Sequence, residues 1–304
     1  MKTMLNLALV LLPLLAMANA TYGAEGGVVE AGAKLQKLSG EFKFTEGPAS
    51  DAEGNVYFTD QPNDRIVKWS TDGKLSTFMQ PCGRSNGLCF DNKGNLIACA
   101  DEKNELWSID PKTKHVTVLV KEYNGKLLNG PNDVWVHPDG SIYFTDPLYP
   151  REYWKRDPKM QQDGQHVYRL APDGKPPERV VEDLKQPNGI VGTPDGKTIY
   201  VADIGDKKTY AYDVGPGGKL SNRRQLCAVG SDGMTLDSEG NVYLTGKGVT
   251  VFDKTGKKIE QIDVPGEGWT ANVCFGGSDG RTLFITASKG FYSIRTRTGR
   301  AGSQ

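Results

Sequence analysis

Short β-rich runs dominated by Val, Ile, Leu, Tyr, Phe and Thr recur along this chain. Six of them, Asn55 to Thr59, Asn95 to Cys99, Ser141 to Thr145, Thr198 to Ala202, Asn241 to Thr245 and Thr282 to Thr286, each follow a turn glycine. Each reads as a hairpin, with the turn first and the second strand after it. The glycines are Gly54, Gly94, Gly140, Gly196, Gly240 and Gly280, at intervals of 40, 46, 56, 44 and 40 residues. That is the period of a propeller blade and too long for a leucine-rich or ankyrin unit. The pattern predicts an all-β chain folded as a six-bladed β-propeller.

Each blade should run inner strand, turn, second strand, loop, third strand and outer strand. Closing turns recur as Thr71-Asp72-Gly73, Pro172-Asp173-Gly174 and Lys254-Thr255-Gly256. The ring must close, because an open end exposes strand edges. The segment 34–44 is expected to supply the outer strand of the last blade, whose other strands end near Phe291 to Arg297. Residues 34–299 thus read as one domain, preceded by a linker at 21–33 and followed by a short tail at 300–304. Ahead of the linker, Lys2 precedes an apolar stretch from Met4 to Met17, and Ala18-Asn19-Ala20 has the small-x-small pattern of a signal peptide cleaved after residue 20, or as late as 24. The stretch is shorter than the roughly 20 residues that span a bilayer. The expectation is export, to a bacterial periplasm or the medium, with no membrane span.

Charge narrows the partners. The 37 basic residues balance the 37 acidic ones, so no footprint for nucleic acid or an acidic membrane is visible, and a small-molecule partner fits better. Oligomeric state is not readable. Among the five cysteines, Cys89 and Cys99 lie five residues either side of Gly94. They are either paired across one hairpin, as an oxidising compartment permits, or buried thiols on strand faces.

A second regularity points to chemistry. A polar residue stands eight positions ahead of each turn glycine: Glu46, Asn86, Asn132, Asn188, Asp232 and Asn272. Pseudo-symmetry places equivalent positions of six inner strands around one central channel, so this spacing predicts a ring of side-chain oxygens. Two carboxylates in a narrow channel repel and lose hydration, which calls for a neutralising cation. Oxygen-only donors suit a hard ion, calcium first and magnesium or manganese next, whereas structural zinc usually recruits cysteine or histidine. Glycines at 47, 87, 189 and 233 let backbone approach beside the ring. Taken singly, each polar residue is equally a turn former.

Other features admit plainer readings. Asp60, Asp101, Asp146 and Asp203 recur six or seven residues after a turn glycine and are expected to hold local backbone N–H groups. The longest interval contains an insertion, 147–165, with Tyr149, Arg151, Tyr153, Trp154, Lys155 and Arg156, which reads as a lid or specificity loop. No Gly-x-Ser-x-Gly elbow exists, and of the three histidines His115 and His137 read as structural while His166, after the insertion, is a candidate substrate contact.

Phe44-Thr45-Glu46-Gly47-Pro48, Leu128-Asn129-Gly130-Pro131-Asn132-Asp133-Val134, Tyr143-Phe144-Thr145-Asp146-Pro147, Gln186-Pro187-Asn188-Gly189-Ile190 and Ser231-Asp232-Gly233-Met234 resemble the SMP-30/gluconolactonase family of six-bladed propeller hydrolases, in order and in phase from about Leu35 to Tyr292. The resemblance implies a divalent cation held by Glu46, Asn188 and Asp232, with Asn132 beside it as ligand or substrate contact. It assigns Asp232 as general base and places Arg84 and Asn86 at the pocket mouth. Tyr149 from the insertion joins them as a candidate substrate contact. The implied activity is metal-dependent opening of a lactone, such as gluconolactone, with calcium foremost and magnesium, manganese or zinc as alternatives. The competing class is an exported propeller that binds carbohydrate or protein around a structural calcium.

Overall fold

The structure, a computed structural model, describes residues 27–302. The proposed signal peptide and its cleavage points lie outside the described residues. Six four-stranded antiparallel sheets follow one another along the chain as blades. In the first, Thr45–Ser50, Val56–Asp60, Arg65–Trp69 and Leu75–Met79 run from the axis outward. The inner strands of the next four begin the sheets at Leu88–Phe90, Val134–Val136, Pro187–Gly192 and Met234–Leu236.

The last sheet closes the ring. Thr270–Gly276, Thr282–Ala287 and Gly290–Arg295 form its inner three strands, and Gln36–Ser39 from the start of the fold pairs with the third in antiparallel register, Gln36 opposite Ser293. The residues before and after the expected domain also take part. Val28 and Val29, in the segment read as linker, are buried against the sixth blade, and Val29 bridges to Thr296. Arg300, in the segment read as tail, bridges to Asp237 and donates its N–H to Gly280 O at 2.9 Å.

The core is divided between blades. Six apolar clusters can be distinguished, and each joins one blade to the next. Tyr57 packs toward the second blade with Leu88 and Leu96, while its neighbours Val56 and Phe58 pack the other way against Phe284 and Phe291 of the sixth. A second strand lies between two blades, so both of its faces must be apolar, which is why these runs show no polar alternation. Burying each such face is worth about 25 cal/mol per Å² of apolar surface.

Three of the four recurrent aspartates hold the loop that leads into their own blade. Asp60 accepts the Lys43 N–H at 3.0 Å, Asp146 those of Asn129 and Gly130 at 2.9 and 2.8 Å, and Asp203 those of Lys185 and Gln186 at 2.8 and 2.9 Å. Asp101 departs from the pattern and instead receives Gln61 Nε2 at 3.0 Å and Arg156 Nη2 at 3.2 Å. All five cysteines are free thiols. Cys89 pairs with Ile97 in the strand register, not with Cys99, so the two sulfurs do not bridge. Burial pushes the Cys89 thiol up to about 11.

Candidate active site

The channel is lined in tiers by the inner strands, and contacts between blades fix which residues share a tier. Thr59 Oγ1 donates to Asn86 O at 3.1 Å, Thr145 Oγ1 to Asn188 O at 2.8 Å and Thr245 Oγ1 to Ala271 O at 2.7 Å. Likewise Gly87 N donates to Asn132 O at 2.7 Å and Gly233 N to Ala271 O at 2.8 Å. The upper tier is therefore Glu46, Asn86, Asn132, Asn188, Asp232 and Ala271. Five of the six expected side chains stand in it; the sixth does not.

Asn272 sits one residue deeper. There it matches Asp133, since each side-chain oxygen accepts the N–H of its own successor, Val273 at 2.8 Å and Val134 at 3.0 Å. The other members of this lower tier are Gly47, Gly87, Gly189 and Gly233. Their lack of Cβ makes room for the two side chains that are present: a Cβ on Gly87 would lie 2.6 Å from Asp133 Oδ1, and one on Gly233 would overlap the carboxamide of Asn272. Asp133 and Asn272 come from opposite blades, the Asn272 side chain lies close enough to lower the Asp133 pKa, and Asp133 accepts the Ile190 N–H at 3.2 Å. They cross the channel below the ring. Burial lifts the Asp133 carboxyl to about 7 against these donors. Beneath lies a cavity of about 270 Å³ lined by Leu88, Val136, Met234 and Cys274 among others, with Arg300 beside it.

In the upper tier Asn188 Nδ2 donates to Asp232 Oδ1 at 2.8 Å and to the Tyr149 hydroxyl at 3.0 Å, while Trp269 Nε1 donates to Asp232 Oδ2 at 2.6 Å. Glu46 is 3 % exposed, and the hydrogen bond it receives is from the Gly47 N–H, to Oε2. Burial first, and then the charge of Asp232, hold the Glu46 carboxyl well above the usual carboxylate range. Burial also raises Asp232, against the bonds from Trp269 and Asn188. Asn188 Oδ1 is buried and has no hydrogen-bond partner. An orphaned amide oxygen beside two mutually repelling buried carboxylates is an arrangement that a hard divalent cation satisfies. The donor set fits such an ion.

The insertion covers this ring. Tyr149 reaches Asn188, and Tyr153 donates its hydroxyl to Gln61 Oε1 at 2.8 Å. Tyr149 thus stands at the ring, and Asn86 and Asn132 are buried in it. Arg84 stands at the roof with its charge engaged: it pairs with Glu102 at 3.3 Å, donates to Pro62 O and stacks on the Tyr153 ring at 4.7 Å. His166 lies on the third strand of its blade, its Nε2 3.1 Å from Asp163 Oδ1, and is not gathered at the ring. Trp269 went unassigned in the sequence; its position two residues before the sixth ring place was the available signal. Asp133 carries no assigned role there either, although it adjoins Asn132, and Arg151 enters only as one residue of the insertion.

The family model of the SMP-30/gluconolactonase/LRE-like region matches residues 44–289. A gluconolactonase of Zymomonas mobilis is 28% identical over 300 residues, covering 89% of this chain and 83% of that protein. A solved gluconolactonase of Xanthomonas campestris is 30% identical with a TM-score of 0.83, covering 91% of this chain and 93% of its own. A regucalcin of Agrobacterium tumefaciens, 19% identical with a TM-score of 0.70 and coverage of 91% and 97%, shares the fold.

Proposed function

Because this chain belongs to the SMP-30/gluconolactonase/LRE-like family, we propose that it is a lactonase that opens the ring of a sugar lactone such as gluconolactone, with a divalent cation held by Glu46, Asn188 and Asp232. Calcium is the first candidate for a donor set of carboxylate and amide oxygens. The observation that carries the reading is the buried, unpartnered Asn188 Oδ1 in the tier that holds the two acids. The relatives named gluconolactonase supply the substrate class.

When bound, the cation supplies Lewis-acid polarisation of the lactone carbonyl and acidifies a neighbouring water. The chain's own residues do the rest. Asp232 takes the proton from the attacking water, whose oxygen bonds to the carbonyl carbon. The ring C–O bond then breaks, and the leaving oxygen recovers the proton from Asp232, giving a hydroxy acid. Trp269 and Asn188 hold the two Asp232 oxygens and so fix the direction from which the base works. Buried Asn132, in the same tier, offers an amide N–H to the developing oxyanion. Tyr149 and the rest of the insertion close over the ring and exclude bulk water.

The test is acid release from gluconolactone by protein stripped with a chelator and then restored with calcium, magnesium, manganese or zinc. Turnover that requires the ion, and that Asp232→Asn lowers by about 10²- to 10⁴-fold, supports the reading. Tight ion binding with no hydrolysis across a lactone panel overturns it in favour of a binding propeller.

A further inference from the structure

Three arginines stand around the roof of the ring, and two are committed. Arg84 is paired with Glu102, and Arg156 with Asp101 and the Asn129 carbonyl at 2.7 Å. Arg151 makes no ion pair and no side-chain hydrogen bond among the described residues, and its Nε is buried without a partner. It packs over the Tyr149 ring, 5.3 Å from guanidinium carbon to centroid. Its field nevertheless reaches the reacting centre, acting on Glu46, Asp232 and Tyr149 on one side and on Asp101 and Tyr153 on the other.

The segment that carries it is tied down at several points. Leu148 N donates to Gln165 Oε1 at 2.8 Å, Tyr149 and Tyr153 anchor to Asn188 and Gln61, and Asn129 Oδ1 accepts the N–H groups of Gln161 and Gln162 at 2.9 and 3.0 Å. A turn through Trp154 N to Arg151 O at 3.1 Å sets the backbone at the arginine itself. Arg151 is therefore held at the roof by its backbone while its guanidinium is left without a counter-ion.

Charge counting gives the consequence. A divalent cation neutralises Glu46 and Asp232, and Arg84 and Arg156 are neutralised by Glu102 and Asp101. Arg151 is then the roof guanidinium with no ion pair of its own, its influence shared between the ring acids and Asp101. A half-buried guanidinium in that state is costly unless the ligand brings the anion. Resting on the lactonase reading, we propose that Arg151 is a specificity-determining residue that binds a carboxylate carried by the substrate away from its lactone carbonyl. The substrate class is then the monolactone of a sugar diacid, singly charged, in preference to a neutral aldonolactone. A planar guanidinium takes one carboxylate through two parallel N–H donors.

The experiment compares wild type, Arg151→Gln and Arg151→Lys on gluconolactone and on the monolactone of glucaric acid, with a phosphorylated gluconolactone as a third arm. Wild type should favour the glucaric monolactone in kcat/KM. Arg151→Gln should lower that value by about 10- to 100-fold more than it lowers the value for gluconolactone, the range of a charge-assisted pair, and Arg151→Lys should recover part of the difference. An equal loss on both lactones, or none, overturns the proposal, and preference for the phosphorylated lactone overturns the carboxylate assignment. If wild type opens no lactone, the activity reading fails separately, and calorimetric binding of glucarate and gluconate to the ion-loaded protein decides. A glucarate preference that Arg151→Gln abolishes upholds the recognition role; equal binding by both proteins ends it.

Discussion

Gly233→Ala is the substitution whose cost the structure specifies most closely. Gly233 does not have a positive φ, so its backbone accepts alanine and the objection is purely one of space. The new Cβ overlaps the Asn272 carboxamide. Asn272 must swing away, losing its approach to Asp133 and its own bond to the Val273 N–H. A neutral hydrogen bond is worth about 1 kcal/mol and overpacking costs about 1–3 kcal/mol, so Gly233→Ala costs about 2–4 kcal/mol. Asn272→Ala loses the same contacts but empties the space. The double variant should therefore be about as stable as Asn272→Ala alone, giving a coupling of about 2–4 kcal/mol in a double-mutant cycle measured by urea denaturation of the metal-free protein. Gly47→Ala is the control. Its φ of 45° disfavours alanine and the obstruction is the Asn86 carbonyl, so removing Asn272 should restore nothing. Additive costs for Gly233→Ala and Asn272→Ala would refute the crossing of the lower tier by Asp133 and Asn272.

Trp269→Phe removes the donor to Asp232 Oδ2, and because that bond lowers the Asp232 pKa, the acid limb of the pH–rate profile should move to higher pH with kcat/KM down about tenfold; an unmoved limb excludes the contact in turnover. Glu46 is an acid whose folded pKa is raised, so in metal-free protein it destabilises as pH rises from the unfolded value of about 4.3 through the folded one. Glu46→Gln should then raise the metal-free melting temperature at pH 8 and weaken calcium binding at least about tenfold, both read by calorimetry; a lower melting temperature at pH 8 contradicts the repulsion. His166→Gln should leave kcat and KM within about twofold, since His166 is engaged with Asp163; a tenfold change in either would return it to the substrate site. We propose that the N-terminal segment directs export, and expect N-terminal sequencing of the exported protein to begin at Thr21 or Glu25; a retained Lys2 refutes cleavage.

Blade number and closure were legible because strand, turn and strand repeat at a fixed period and each leaves a glycine behind. Glu46, Asn188 and Asp232 were legible for the same reason, being counted from those glycines. The count fails in the sixth blade for a geometric cause. Ser50 pairs with Val56 and Gly276 with Thr282, so the two turns enclose equal lengths, but the second strand has six residues in the sixth blade and five in the first. That hairpin is one rung longer on both arms, and eight residues back from Gly280 falls at Asn272, one place below the ring. The glycines at 47, 87, 189 and 233 carried the corrective signal. A polar residue followed by glycine marks the ring in four blades, so in the remaining two the residue after the ring position must fill space that the glycines leave open. Asn132-Asp133 and Ala271-Asn272 do so, which makes Asp133 and Asn272 partners of each other and not members of the oxygen ring. Arg84 and His166 were illegible for a different reason: their direction depends on Glu102 and Asp163, side chains whose proximity no periodicity encodes. Phase along the strand therefore identifies what the backbone positions, and it is silent on charges that choose their own partners, the class to which Arg151 belongs.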